Sequence, residues 1–137
     1  MSNSSISTIS NSLSADPDLP IEKAKKYAAY SCGEYFIKSG QKIGVGSGST
    51  VKYFVEFLKE KYHQKLLQNI ICVPTSFMTR KWLLEANLPV KTLEEEYELD
   101  IAIDGADEVD ENLNLIKGGG GCLTQEKIVQ FSSKTFV

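Results

Sequence analysis

Three clusters of polar and glycine residues have the composition of sites that bind anions or move protons. They are the glycine-rich turn Gly44–Thr50, the acidic stretch Asp104–Asp107, and Lys117 with Gly118–Gly121, which Glu126 follows. Each cluster comes directly after a predicted strand or directly before a predicted helix. In open α/β sheets, ligands bind beyond the carboxyl ends of the strands. The three clusters therefore lie where a ligand site is expected.

The turn Gly44–Thr50 has the composition of an anion-binding loop at the start of a helix. Its glycines allow close approach of the backbone, and the helix that follows directs unpaired N–H groups and its positive dipole end at a ligand. The turn lacks the lysine of a P-loop, and Ser49 stands where a dinucleotide-binding turn requires its third glycine. A tight strand-to-helix turn capped by Ser or Thr is the alternative interpretation.

Asp104 and Asp107 flank Gly105 and Ala106 directly after a run of apolar residues. Two carboxylates at the end of a buried strand can accept hydrogen bonds from sugar hydroxyls, or move protons between sugar oxygens. Asp and Gly are also common turn residues, so an ordinary turn explains the same four positions.

Lys117 and the glycines 118–121 are harder to explain as a simple connection. Four glycines are entropically costly to order, and they make sense if several backbone N–H groups converge on one developing negative oxygen. Lys117 adds a positive charge beside them, and Glu126 is the nearest carboxylate that can serve as a base. The alternatives are a flexible glycine-rich linker and a surface glutamate in the first turn of a helix.

The composition indicates a mildly acidic globular protein. The 137 residues include 15 Lys and Arg against 18 Asp and Glu. No basic run is long enough to bind nucleic acid, and no apolar stretch approaches the roughly 20 residues that cross a bilayer. Cys32, Cys72 and Cys122 share no metal-ligand spacing and His63 is the only histidine, so no metal site is expected. Reduced thiols and the lack of a targeting pattern predict a cytoplasmic location.

Predicted strands and helices alternate along the chain. Residues 1–20 are rich in Ser and Asn, and we expect them to form a disordered tail. Helices are predicted after Pro20, after the first glycine-rich turn, after Ser76 and from Thr124, with strands at 42–45, 70–73 and 99–103. The apolar face of the first helix is predicted to consist of Ile21, Ala24, Ala28, Cys32 and Tyr35. Residues 21–137 are thus predicted to form one α/β domain with a Rossmann-like, mostly parallel sheet flanked by helices.

The chain stops at Thr135-Phe136-Val137, which has the pattern of the start of a strand. A sheet that ends there would leave an apolar surface and a strand edge uncovered. We therefore expect the α/β domain to be incomplete, that is, truncated at the C-terminus.

The ordered set of motifs resembles the type A ribose-5-phosphate isomerase family. The matching stretches are residues 44–50, 103–110 and 116–129, with a weaker match at 71–77, and the resemblance covers roughly residues 21–137. The stretch 116–129, which contains Lys117, the four glycines and Glu126, is the most specific of these.

This resemblance implies an enzyme of the pentose phosphate pathway that interconverts D-ribose 5-phosphate and D-ribulose 5-phosphate through an enediolate, without a metal or an organic cofactor. It implies that Glu126 is the general base, that Lys117 and the glycine amides stabilise the enediolate, and that Asp104 and Asp107 bind sugar hydroxyls and relay protons. A sugar phosphate is the partner implied, and the full-length form is expected to be a homo-oligomer. The implied substrate-binding residues are Ser47, Gly48, Ser49, Thr50, Asp104, Gly105, Ala106, Asp107, Lys117, Gly118, Gly119, Gly120 and Lys25.

Members of the family continue past the position of Val137 to another substrate-binding lysine and to a second α/β subdomain. An alternative function is therefore a catalytically inactive, truncated phosphosugar-binding or regulatory fragment. A third hypothesis is another sugar-phosphate enzyme on a related fold, such as an amino-sugar deaminase.

Overall fold

Helices and strands alternate in the computed structural model, which describes residues 20–137. The helices are α1 (Ile21–Phe36), α2 (Ser49–His63), α3 (Phe77–Glu85) and α4 (Leu123–Phe131), and the strands are β1 (Lys42–Val45), β2 (Ile71–Pro74), β3 (Leu99–Ile103), β4 (Glu108–Val109), β5 (Leu115–Ile116) and β6 (Ser133–Phe136). The tail predicted for residues 1–20 lies outside the described residues, apart from Pro20. Within residues 20–137, none of the helices has the length and apolar character needed to cross a membrane.

Four of the strands form a parallel sheet in the order β2-β1-β3-β6. The interior strands β1 and β3 pair through Ile43 and Ile101, and β3 pairs with β6 through Leu99 and Ser133. Parallel neighbours require a crossover connection, which is usually a helix. The alternation of strands and helices in the sequence therefore corresponds to this topology, and the predicted Rossmann-like α/β fold is confirmed.

Helices cover both faces of the sheet. On one face, Ile43 and Val45 of β1 belong to the core that α1, α2 and α3 share. On the other face, Val129 of α4 packs in a smaller cluster with Val73, Leu99 and Ala102. The interior strand β3 contributes to both clusters, with Ile101 and Ile103 in the larger one and Leu99 and Ala102 in the smaller one.

Gly44 determines how closely α4 approaches the sheet. A Cβ atom at this position would lie 2.5 Å from Cγ1 of Val129, which is closer than packed side chains allow. The missing side chain lets α4 lie directly on β1. Glu126 precedes Val129 by three residues and shares its side of the helix, so this contact also sets how far Glu126 lies from the sheet.

The buried face of α1 agrees only in part with the predicted one, because Cys32 packs against the core whereas the ends of the predicted face are exposed. Its buried residues are Ala29 and Gly33, whereas Ile21 is 71% exposed and Tyr35 is 51% exposed. A Cβ atom at Gly33 would lie 2.3 Å from the ring of Phe57 in α2. The spacing of apolar residues did not identify the centre of the buried face, because a close helix contact is made there by a glycine, which contributes nothing to a hydrophobic pattern.

A hairpin formed by β4 and β5 lies between Asp107 and Lys117, where neither a strand nor a helix was predicted. Its turn is stabilised by Asp110, which accepts the side-chain amide and the backbone N–H of Asn114, both at 2.8 Å. These hydrogen bonds hold the pKa of Asp110 below its usual range. The hairpin reverses the chain, so that the N–H of Asp107 donates to the carbonyl of Ile116 at 2.7 Å. It thereby brings Asp107 beside Lys117.

Candidate active site

A cleft of about 180 Å³ lies at the carboxyl edge of the sheet, beyond the ends of β1 and β3. It contains every predicted catalytic residue and every predicted substrate-binding residue except Lys25. Its lining consists of Ser47, Gly48, Ser49, Thr50, Asp104, Gly105, Ala106, Asp107, Lys117, Gly118, Gly119, Gly120 and Glu126. The three clusters found in the sequence therefore face one space, while the roles assigned to their residues stay predictions.

Lys117 lies at the centre of the charged groups in this cleft. Its Nζ is 2.9 Å from Oδ2 of Asp104 and 2.9 Å from Oε2 of Glu126. The side chains of Lys117, Asp104 and Glu126 are 9%, 3% and 6% exposed. Charges shielded from water interact strongly, and one ammonium here faces two carboxylates. The three side chains of Lys117, Asp104 and Glu126 together therefore carry more negative than positive charge, and a positively polarised atom of a ligand can offset the difference.

Two opposing effects act on the pKa of Lys117. Burial by itself lowers the pKa, because it disfavours the charged ammonium. The hydrogen bonds to Asp104 and Glu126, together with the negative charges of both carboxylates, outweigh burial and raise the pKa. Lys117 is therefore a cation at neutral pH, suited to hold a negative oxygen and unsuited to accept a proton.

Asp104 is held by backbone amides as well as by Lys117. Its Oδ1 accepts the N–H of Gly105 at 2.8 Å and the N–H of Ser47 at 3.2 Å. Gly46 makes room for this carboxylate, since a Cβ atom there would lie 2.2 Å from its Cγ. Asp104 thus joins the turn after β1 to the charged centre of the cleft.

The start of α2 lines the cleft through Ser49 and Thr50. Gly48 precedes the helix with a φ of +105° and provides no side-chain cap. The first N–H groups of a helix have no intrahelical acceptor, and the hydroxyls of Ser49 and Thr50 lie beside them. Ser47 differs, because its N–H is already bonded to a carboxylate and its hydroxyl is 2.7 Å from that of Thr75. Gly48, Ser49 and Thr50 are therefore better placed than Ser47 to contact an anion.

The glycine loop is shaped by backbone conformations that favour glycine. Gly118 and Gly121 both have a φ of +86°, and the N–H of Gly121 donates to the carbonyl of Gly118 at 3.0 Å. The N–H of Gly119 donates to Oδ2 of Asp107, also at 3.0 Å. A ligand oxygen that binds the Gly119 amide must therefore displace the Asp107 carboxylate or share the amide with it.

Lys25 does not line the cleft. Its Nζ is 3.0 Å from Oε1 of Glu22, and Oε2 of the same glutamate accepts the hydroxyl of Tyr53 at 2.7 Å. Lys25 is thus linked through Glu22 to Tyr53 of α2, which follows Thr50 by one helical turn. The structure brings the other predicted residues together but leaves Lys25 apart, and its binding role stays a prediction from the resemblance.

One contact that shapes the site was not predicted from the sequence. No role was predicted for Thr75, yet its buried hydroxyl contacts Ser47. The weaker motif match at residues 71–77 was the available signal. Among residues 20–137, no group of three or more His, Cys, Asp or Glu side chains is arranged to hold a metal ion.

Comparisons with known sequences agree on one family. The profile of the family described as Ribose 5-phosphate isomerase A (phosphoriboisomerase A) matches residues 71–137. A Caenorhabditis elegans protein named probable ribose 5-phosphate isomerase is 61% identical over 117 residues, which cover 85% of this chain and 47% of that protein. A Dictyostelium discoideum ribose-5-phosphate isomerase is 54% identical over 119 residues, which cover 87% of this chain and 50% of that protein.

Comparisons with solved structures give the same result. A ribose 5-phosphate isomerase from Plasmodium falciparum matches with a TM-score of 0.81 and 41% identity, over 84% of this chain and 49% of that one. A D-ribose-5-phosphate isomerase in complex with phospho-erythronic acid matches with a TM-score of 0.83 and 42% identity, over 86% of this chain and 51% of that one. The chain thus spans about half the length of the relatives that it matches. By sequence and by fold alike, it belongs to the ribose 5-phosphate isomerase A family.

Proposed function

We propose that this chain carries the catalytic site of an aldose–ketose isomerase, which interconverts D-ribose 5-phosphate and D-ribulose 5-phosphate in the non-oxidative pentose phosphate pathway. The observation that carries the proposal is one buried lysine paired at 2.9 Å with each of two carboxylates, in a cleft that also contains a helix N-terminus. The cleft therefore combines a carboxylate base, a cation and an anion site. Isomerisation of a sugar phosphate through an enediolate uses all three.

Glu126 is proposed as the base. The reaction removes a proton from C2 of the open-chain aldose and delivers a proton to C1 of the enediolate. C1 and C2 are bonded to each other, so one carboxylate beside them can perform both transfers. Glu126 is held by Lys117 in the cleft. A substrate oxygen that takes over the ammonium leaves Glu126 free to accept the proton.

Lys117 and the glycine loop are proposed to stabilise the enediolate. Lys117 is a cation whose position is already fixed by Asp104 and Glu126, so little reorganisation is needed when negative charge develops on the substrate. Gly118, Gly119 and Gly120 line the same cleft, and their N–H groups are proposed to add to the effect of Lys117. Asp104 and Asp107 would accept the sugar hydroxyls and relay the proton between O1 and O2.

The phosphate group is proposed to bind at the start of α2, on Gly48, Ser49 and Thr50. Helix N-termini favour phosphate because their N–H groups and dipole both face the anion. One matched relative was solved with phospho-erythronic acid, a compound with a phosphate at one end and a carboxylate at the other. The two oxygens of that carboxylate resemble the oxygen pair of an enediolate, and the cleft of this chain offers the helix N-terminus and Lys117 as the corresponding partners.

Phosphosugar binding without catalysis is the second candidate. The chain spans 47% of the C. elegans relative and 50% of the Dictyostelium relative. Residues outside the matched half can contribute to the activity of the whole protein, which favours a binding or regulatory role for this chain alone. Binding and proton transfer must therefore be measured separately.

Exchange of the C2 proton separates the two candidates. Ribose 5-phosphate is incubated with the purified chain in D₂O, deuterium incorporation is followed by NMR, and binding is measured by calorimetry. Glu126→Gln is expected to lower exchange and ribulose 5-phosphate formation by about 10²–10⁴-fold, the usual contribution of a general base, while the substrate still binds. Glu111→Gln, on the exposed turn of the hairpin, is the matched control and should leave both rates unchanged.

The outcomes are distinct. Near-normal exchange by Glu126→Gln would refute the assigned base. Binding without exchange by the unmodified chain would favour the second candidate, and absence of binding would refute both candidates.

We further infer that the whole protein is a cytoplasmic homo-oligomer. Large apolar side chains stand exposed, including Phe77 at 94% and Phe131 at 82%. Phe131 shares one surface with the exposed side chains of Leu123 and Ile128, and contiguous apolar surfaces are typical of protein interfaces. Sedimentation analysis of the whole protein and its localisation by cell fractionation test these inferences, and a monomer at micromolar concentration would contradict the first.

A further inference from the structure

Two of the three buried polar or charged residues in the described part of the chain lie outside the cleft, in the segment that follows β2. Thr75 and Thr79 are 3% and 0% exposed, and Glu126 is the third residue of this kind. A buried hydroxyl is costly unless it is hydrogen-bonded. The partners of these two hydroxyls therefore indicate what they stabilise.

Thr79 bonds to the turn after β1. Its hydroxyl donates to the carbonyl of Gly46 at 2.7 Å and accepts the hydroxyl of Ser76 at 3.0 Å. The N–H of Gly46 donates to the carbonyl of Ile103 at 2.8 Å. Both backbone groups of Gly46 are thus tied, one to β3 and the other to α3.

Thr75 bonds to the next residue of the same turn. Its hydroxyl is 2.7 Å from the hydroxyl of Ser47, and its N–H donates to the carbonyl of Val45 at 3.0 Å. The N–H of Ser47 is held from the other side by Asp104. Gly48 follows with a φ of +105° and precedes the helix whose first residues, Ser49 and Thr50, line the cleft.

We propose that Thr75 and Thr79 are positioning residues that hold the Gly46–Ser47 turn, and hence the first N–H groups of α2, in the geometry that binds the phosphate of the sugar. Neither residue lines the cleft, so they act on the ligand through the turn and not by contact. This role rests on the proposed function, because it presupposes that the start of α2 is the phosphate site.

Removing the hydroxyl of Thr79 should disturb the turn more than removing the hydroxyl of Thr75. Without the Thr79 hydroxyl, the buried carbonyl of Gly46 loses its hydrogen-bond donor, and the turn must move to find another. Without the Thr75 hydroxyl, Ser47 keeps its backbone bond to Asp104 and can turn its own hydroxyl to solvent. We therefore expect the larger effect at Thr79 and a smaller effect in the same direction at Thr75.

The test uses Thr79→Val, which preserves the shape of the side chain and removes the hydroxyl, and Thr79→Ser, which retains it. Affinities for ribose 5-phosphate and for inorganic phosphate are measured by NMR titration, and hydrogen exchange of the Ser47 amide is measured without ligand. Thr79→Val should weaken phosphate binding about tenfold, the effect of one hydrogen bond of ordinary strength. It should also speed exchange at Ser47, and Thr79→Ser should restore both.

Leu83→Val controls for a general loss of stability. Leu83 is fully buried in the same helix and has no hydroxyl to bond the turn, so this variant should destabilise α3 and leave phosphate affinity within about twofold of the unmodified chain. Where the chain isomerises its substrate, Thr79→Val should raise KM far more than it lowers kcat. A merely structural role would not separate these two constants.

Three results would decide against the proposal. Unchanged phosphate affinity in folded Thr79→Val would overturn the role of Thr79 and leave the proposed function intact. An equal loss of affinity in Leu83→Val would assign the effect to stability. If the unmodified chain binds neither ribose 5-phosphate nor phosphate, the proposed function and the positioning role fail together. The first two results would overturn the positioning role alone.

Discussion

Replacing Lys117 with methionine removes the cation that two buried carboxylates share. Oδ2 of Asp104 and Oε2 of Glu126 each lie 2.9 Å from the lysine nitrogen, so the two oxygens are at most twice that distance apart. Two like charges at about 5.8 Å repel by about 3 kcal/mol at an effective dielectric constant near 20. Removing one partner of a buried ion pair typically costs about 3–5 kcal/mol, which agrees with this value. Since small domains have total stabilities of about 5–15 kcal/mol, the effect should be large.

Equilibrium urea unfolding at neutral pH, followed by the fluorescence of Trp82, measures this cost. We expect the free energy of unfolding of Lys117→Met to be about 3 kcal/mol lower than that of the unmodified chain. Lys127→Met is the matched control, because Lys127 is an exposed lysine on α4 and surface substitutions usually change stability by less than about 0.5 kcal/mol. Lys117→Arg keeps the charge and should recover part of the loss.

The pH dependence gives a second measurement of the same effect. Asp104 and Glu126 raise the pKa of Lys117, so the lysine contributes stability that is complete below its unfolded-state pKa of about 10.4. This contribution is lost as the pH rises through the higher folded-state pKa. The difference between the unmodified chain and Lys117→Met should therefore stay constant from neutral pH to about pH 9 and shrink above about pH 10.5.

A difference smaller than about 1 kcal/mol at neutral pH would refute the reasoning, since it would mean that water screens the carboxylates as it does exposed ion pairs. A difference that grows in alkaline solution would refute it as well, because the sign of the linkage would be reversed.

Two further predictions concern close packing and thiol burial. Gly46→Ala places a Cβ atom 2.2 Å from the carboxyl group of Asp104, so we expect it to lower stability by about 1–3 kcal/mol. We also expect it to weaken phosphate binding at least about tenfold. Calorimetric titration measures the phosphate affinity, and an unchanged affinity would contradict the prediction. Burial raises the pKa of Cys72 to about 12 and that of Cys32 to about 11, so iodoacetamide in mildly alkaline buffer should label both slowly in the folded chain and rapidly after denaturation. Peptide mass spectrometry measures the labelling, and rapid modification of Cys72 in the folded chain would be the contrary result.

Local patterns of sequence determined the fold class and the residue types of the site. The apolar run at 99–103 was predicted as a buried strand and is β3, and Ser76 was predicted at a helix start and caps α3 through a hydrogen bond from the N–H of Thr79. Clusters of glycine, serine and carboxylate residues directly after strands predicted a site at the carboxyl edge of the sheet, and the cleft lies there. These predictions succeeded because they depend on neighbouring residues: side-chain alternation, helix capping and turn conformation are local properties.

The hairpin of β4 and β5 was missed because each strand has only two residues, too few to produce an alternating pattern. The buried face of α1 was predicted only in part, because Gly33 makes its contact with α2 through the lack of a side chain. Gly44 likewise lets α4 approach the sheet closely because it has no side chain. Hydrophobic patterns record side chains, so they do not detect helices that pack against a bare backbone.

Tertiary structure alone decided which charges meet. Lys117 pairs with Asp104, 13 residues away, and with Glu126, 9 residues away, while Asp104 also holds the amide of Ser47 across 57 residues. All four residues are candidates by type and by motif, but nothing in their local spacing specifies a common centre or its burial. Electrostatic energy depends on distance through space and on the exclusion of water, and both arise only when the segments pack against one sheet. The sequence by itself therefore determined the chemistry available, and packing determined that one ammonium serves two carboxylates.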